Sequence, residues 1–229
     1  TAFGGRGMIG MGWEHADLII QDTVEYRVYR PGGDVRRFLR LPTRPRFGLR
    51  HSGGLRFPYT PLTENPSTTR LSMNPVVASA TEPELRVFTA GGDLQALHRW
   101  AYQKVEVDAR TRKAEEDRRV TNNPDPNDQR MERTLLSQVP WPEHLPVTAT
   151  VIADSMDRIW VRQYQTASDS SASLWWVFTQ DQGMVGKIHL PNDWDVLDAA
   201  DGRVLVRLRN EIGVQGVGVF SLSEPPRPD

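Results

Sequence analysis

The sequence predicts an all-β fold, a β-propeller of four-stranded antiparallel blades with a partly helical insertion, and three observations carry that expectation. The first is a repeated stretch. Residues 25–37 read EYRVYRPGGDVRR and residues 84–96 read ELRVFTAGGDLQA, a spacing of 59 positions that belongs to the range of modular repeats. Glu25, Arg27 and Val28 match Glu84, Arg86 and Val87, and Gly32, Gly33 and Asp34 match Gly91, Gly92 and Asp93. The second is periodicity: Tyr26 and Val28, or Leu85 and Val87, alternate with Arg27 or Arg86 before a Gly-Gly turn, which is the pattern of a β-hairpin. The third is that two more strand-like runs precede each hairpin: GMIGMGW then ADLIIQD, TRLSMNP then VVASA, TATVIAD then RIWVRQY, and WDVLDAA then RVLVRLR. Four short antiparallel strands per unit, repeated, describe propeller blades.

With the strands of a blade labelled A to D from the centre outward, the first blade spans residues 7–41, with strands at 7–13, 16–22, 25–30 and 34–41. The second spans 68–100. The third spans 148–190 and contains a looser copy of the hairpin, WVFTQDQGMV at 176–185. The last, 194–222, has A, B and C strands, the third being VGVFSL at 217–222. It ends in SEPPRPD, where three prolines leave nothing to serve as a D strand. Residues 1–229 thus read as one propeller domain, interrupted by insertions at 42–67 and 101–146.

A hydrophobic content of 38% with 25% charged residues suits a globular chain able to bury a core, and rules out a disordered tail. A formal net charge of -1 supplies no global attraction to nucleic acid, and nucleic acid is not expected as a partner. No apolar run reaches the roughly 18 residues of a membrane span. With Cys 0 there is no disulfide framework, thiolate nucleophile or cysteine zinc site. The chain begins at Thr1 rather than Met, which leaves any upstream segment and the compartment open.

The turn-then-strand pattern ADSMDRIWVRQY (153–164), the aromatic strand and glycine turn WWVFTQDQG (175–183) and the hairpin EYRVYRPGGDV (25–35) together resemble six-bladed β-propellers of the NHL-repeat and TolB-like kind. The resemblance covers most of the chain outside the insertions. It implies that about four blades of a six-bladed ring are present, that the remaining blades lie upstream, and that 217–222 borders an open edge. It also implies an extracytoplasmic, periplasmic or secreted, location. Function is not implied, because this fold hosts binding modules, lactonases, lyases and scaffolds alike.

The A-to-B and C-to-D turns are short, whereas 42–67 and 101–146 are D-to-A connections and QTASDSSAS (165–173) is a B-to-C connection. In an up-and-down blade both of those emerge on one face, and long loops on a rigid scaffold tend to carry function. That face is the expected site, with Arg50, His51, Arg56, Trp141 and His144 as ligand-binding candidates near the channel mouth. The second insertion is rich in helix formers of mixed charge, with Asn127 or Asp128 as a helix cap, and reads as a solvated excursion with internal ion pairs or as a partner-docking helix. The arginines of RRFLRLPTRPRFGLRHSGGLRF either protect an edge strand or form an anion site.

Other chemical motifs are weak. Gly5, Gly7 and Gly10 fit G-x-G-x-x-G, but a turn and strand follow where a dinucleotide site needs a helix. The five histidines are scattered, Asn123, Asp125 and Asn127 lack the glycine and glutamate of an EF-hand loop, and no G-x-S-x-G occurs. Asp154 sits where an Asx turn is expected. Of Trp175 and Trp176, on opposite sides of one strand, one is expected in the core and the other at a surface or groove. The resulting expectation is a non-enzymatic binding or scaffold module, without cofactor or metal, that recognises a protein, peptide or small ligand. The alternative is a metal-assisted hydrolase or lyase acting in the channel, as in lactonase-like propellers.

Overall fold

A computed structural model describes residues 19–29, 32–51, 54–209 and 213–222, leaving aside the side chains at 50, 51 and 55. The expected strand at 7–13, the first three residues of that at 16–22, and Gly5, Gly7 and Gly10 lie outside the described residues.

The first part of the chain forms three two-stranded pieces from β1 (Ile19–Ile20), β2 (Thr23–Tyr29), β3 (Val35–Pro42), β4 (Arg46–Phe47), β5 (Leu49–His51) and β6 (Gly54–Arg56). The expected hairpin is β2 against β3, from Thr23 opposite Pro42 to Tyr29 opposite Val35. One expectation is corrected here. Ile19 and Ile20 do not pair with the strand that follows them; they pair with Phe47 and Arg46, on the far side of the hairpin. Asp22 ties this together, since its backbone carbonyl accepts from the Thr43 N–H at 2.8 Å and its carboxylate pairs with Arg46.

Two complete meanders follow. The strands β7 (Ser67–Leu71), β8 (Asn74–Ala78), β9 (Glu84–Phe88) and β10 (Leu94–Arg99) lie side by side in chain order, all antiparallel. After the helices α1 (Ala109–Thr121) and α2 (Pro126–Gln138) come β11 (Thr148–Ala153), β12 (Arg158–Gln163), β13 (Ser173–Thr179) and β14 (Gly183–Leu190), ordered the same way. A three-stranded sheet of β15 (Asp195–Ala200), β16 (Arg203–Arg209) and β17 (Gln215–Ser221) ends the described chain. Among the described residues β17 pairs on one edge only.

The sheets stack through side chains that alternate with period two. On the middle sheet, Ile159, Val161, Trp176 and Phe178 enter a buried cluster with Val76, Leu85, Val87 and Trp100 of the preceding sheet. The intervening residues Trp160, Trp175 and Val177 enter a second cluster with Val196, Val204 and Val206 of the following sheet. The expectation that one of the paired tryptophans faces a surface or groove is therefore corrected. A sheet covered on both faces has no solvent side, and Trp175 and Trp176 are 0% and 2% exposed, one in each cluster. Each fully buried large side chain contributes about 1.5–3 kcal/mol, so these two clusters are the main apolar stabilisation.

The first strands of the meanders are neighbours: β11 packs beside both β7 and β15. Polar groups set their register, with the Val151 N–H donating to Ser67 Oγ at 2.9 Å and Thr148 Oγ1 donating to the Ser79 carbonyl at 2.6 Å. The β2–β3 hairpin docks on the turn of the next repeat. Arg36 donates to the Gly91 carbonyl at 3.0 Å and to Asp93 at 2.7 Å, and Phe38 meets Phe88 edge-on at 4.9 Å. Gly92, at φ +84°, is required there twice over, because a Cβ would stand 2.8 Å from that of Phe38.

The helical insertion leaves and returns through a paired stem, in which the Val107 N–H donates to the Glu143 carbonyl at 2.9 Å and the Leu145 N–H to that of Val105 at 2.8 Å. Internal ion pairs hold α1 as expected: Lys113 with Asp117, Glu115 with Arg118, and Arg119 with Glu132 of α2. The cap of α2 is not Asn127 or Asp128. Asp125 accepts from the Asn127 N–H at 2.7 Å, leaving Pro126 at the first helical position, where its missing N–H costs nothing. Leu135 and Val139 pack on Phe47 and Leu49, so the two insertions share a small core. Among the described residues no helix is long and apolar enough to cross a membrane.

Candidate functional site

A meander has two kinds of end. The short A-to-B and C-to-D turns lie at one end, and the B-to-C and D-to-A connections lie at the other, so all three long connections share the second. Two clefts open there. One, of about 300 Å³, is walled by Pro42, Leu62, Ala80, Lys104, His144 and Pro146 among others. The second, of about 310 Å³, is polar and is lined by Glu64, Glu115, Arg118, Arg162, Tyr164 and Asn192 together with the start of the 165–173 connection. A third hollow, at Ser72, Asp157 and Gln180, belongs to the turn end.

Of the five sequence candidates, His144 lines a described cleft, the first. Its Nδ1 lies 3.9 Å from the Glu143 carboxylate. Arg50 and His51 belong to β5 and pair by backbone with Leu55 and Gly54 of β6, whose last residue, Arg56, is exposed. Trp141 is half-buried after α2. Upstream, the arginine-rich run is largely neutralised: Arg36 pairs with Asp93, Arg37 with Glu25 and Arg46 with Asp22, while Arg40 donates to Thr23 at 2.8 Å and Arg44 to Thr63 at 3.2 Å. Arg37 and Arg40 brace the two strands of the hairpin, and Arg36, Arg44 and Arg46 tie it and the following connection to their neighbours.

Comparison with protein-family models, curated proteins and solved structures returns no match.

The polar pocket is where the electrostatics are unusual. Arg162 reaches it from the end of β12, and its Nη2 donates to the Asn192 side chain at 3.2 Å and to its carbonyl at 3.4 Å. Asn192 is held in turn by donating to the Asp169 carbonyl at 2.5 Å. Burial pulls the Arg162 pKa down, with Asp195 opposing. Burial raises that of Glu64, with Arg44 opposing. Tyr164 is pushed up to about 12 by burial and by the Glu64 and Glu115 carboxylates, so its phenol keeps its proton at neutral pH. Glu115 is already satisfied by a bidentate contact from Arg118 at 2.6 and 2.7 Å. The sequence signal for these residues is faint. Glu64 and Arg162 are nearly 100 positions apart, and the connection before β7, the end of β12 and the helix α1 bring them to one pocket.

Two other buried carboxylates are structural. Asp154 accepts from the Met156 and Arg158 N–H groups at 2.9 and 2.8 Å, from Arg158 Nε at 2.6 Å and from Trp160 Nε1 at 2.9 Å, an Asx turn with its acceptors filled. Glu84 is pulled up by burial, but hydrogen bonds from Arg99 and Arg86 outweigh that and leave its pKa below the ordinary carboxylate value. Among the described residues, no group of three or more His, Asp or Glu is placed to hold a metal ion.

Proposed function

We propose that the chain is a β-propeller-type, non-enzymatic binding module that takes its ligand, a small molecule, peptide or protein segment, at the end carrying the long connections. The observation that carries this reading is that both clefts there are walled by residues of those connections, while the stacked sheets beneath supply a rigid base. The propeller assignment, and its likeness to six-bladed NHL-repeat and TolB-like proteins, is part of the proposal. It draws support from the consecutive meanders and from the adjacency of their first strands.

The test is a fragment screen read by amide chemical shifts. Hits should cluster on Glu64, Thr81, His144, Arg162 and Tyr164. Hits confined to Ser72, Asp157 and Gln180, at the turn end, would defeat the reading.

A further inference from the structure

We propose that the polar pocket binds a small zwitterion of the amino-acid or short-peptide class, its carboxylate seated on Arg162 and its ammonium on Glu64. This rests on the reading of the connection end as the binding face, and it names the ligand class for that face.

Arg162 carries the argument at one pole. A guanidinium offers five N–H donors in a rigid fork that matches a carboxylate, and among the described residues this one spends a single nitrogen, on Asn192. No carboxylate of the described residues lies within 4.0 Å of it. Arg86 and Arg158 are also half-buried, and each has a carboxylate at 2.6 Å. A half-buried charge with no carboxylate in direct contact is costly, Asp195 acting on it only at a distance, and a guanidinium already oriented by a fixed asparagine has its remaining fork turned to an incoming anion.

The opposite pole has the opposite need. Glu64 is half-buried with no cation of the described residues within 4.0 Å, in contrast to the fully paired Glu115 beside it. The Gln165 Oε1 is buried there without a hydrogen-bond partner, while its amide nitrogen is held by Ser171 at 3.1 Å. One wall therefore lacks an anion and another lacks N–H donors. A plain carboxylate would answer Arg162 and be repelled by Glu64, and a plain amine would do the reverse. A molecule bearing both charges satisfies both. The volume, about 310 Å³, lies at the small end of ligand sites and suits something the size of a dipeptide.

The experiment is calorimetry on the 229-residue chain with L-alanyl-L-alanine, its N-acetyl derivative and its C-terminal amide. The zwitterion should bind with millimolar or better affinity, and each capped form at least about tenfold more weakly. Arg162→Lys should weaken the zwitterion by at least about tenfold, and Glu64→Gln should make it and its N-acetyl form equivalent. Amide spectra establish that both variants fold, and the capped-ligand comparison needs no variant at all. Absence of binding at about 10 mM, where millimolar affinity would be near saturation, overturns the inference, as does equal affinity for the capped forms. If fragments still map to the connection end while the dipeptide does not bind, the ligand class falls and the binding face stands. Fragments mapping to the turn end would remove the face itself.

Discussion

Replacing Asp154 by alanine should be among the most damaging single changes in the chain. Its side chain is 0% exposed and takes four hydrogen bonds, two from backbone N–H groups, one from the Arg158 guanidinium and one from the Trp160 indole. Alanine leaves a cation and an indole N–H without an acceptor. Breaking a buried pair costs about 3–5 kcal/mol, and since the Arg158 side chain is 27% exposed and partly rehydrates, the lower end of that range, about 3 kcal/mol, is expected. This is a large share of a total stability of about 5–15 kcal/mol. Asparagine keeps one oxygen for the backbone donors but turns an amide toward Arg158 and Trp160, so it should recover about 1 kcal/mol. Urea unfolding followed by tryptophan fluorescence measures both, with slopes compared to confirm that the same surface is exposed. A loss under about 1 kcal/mol for the alanine variant, at unchanged slope, would refute the role given to this turn.

Gly92→Ala should cost about 2 kcal/mol or more, from the positive φ and the clash with Phe38, whereas Gly202→Ala, at φ +69° with open space around it, should cost less; paired melting curves separate strain from crowding. Glu84 contributes stability that is fully present above the ordinary glutamate pKa and lost as pH falls through its lower folded value, so Glu84→Gln should flatten the acid limb of the stability profile. Glu64 has the opposite sign. Its raised folded pKa makes stability fall as pH rises through the window above the ordinary value, and Glu64→Gln should be more stable than the parent at pH 7 by chemical denaturation. Val217 and Val219, 68% and 63% exposed on β17, should drive self-association, and Val217→Lys with Val219→Lys should lower it in sedimentation or dye-binding assays without lowering the melting temperature.

The strands were legible because their determinants are local. A Gly-Gly turn and a period of two mark the hairpins at 25–41 and 84–99 whether or not their neighbours are known, and the pairing of Glu84 with Arg99 across the second follows from register alone. The helices were legible from composition. What could not be read was whatever depends on a second element coming close. Trp175 and Trp176 differ in no local respect from a strand with one wet face; only the arrival of a third sheet buries both. Ile19 and Ile20 look like any short strand, and their choice of Arg46 and Phe47 is made by the path of 43–45. The same limit hid Glu64, an ordinary residue of a connection, and Arg162 and Tyr164, ordinary residues where β12 ends.

The paired stem at Val105, Val107, Glu143 and Leu145 makes the helical insertion a cassette. Trp100 and Val147 share one buried cluster, so the chain departs from the sheets and rejoins them at almost the same point. The graft is closed by that zipper and rests, through Leu135 and Val139, on Phe47 and Leu49 of the first insertion, apart from the two clusters between the stacked sheets. Glu115 and Arg118, which ride on the cassette, roof a pocket whose floor, Arg162 and Tyr164, belongs to the sheet. On the reading proposed above, exchanging the roof would reshape the pocket while Arg162 and Glu64 keep its two charges, a division of labour between the cassette and the rest of the fold.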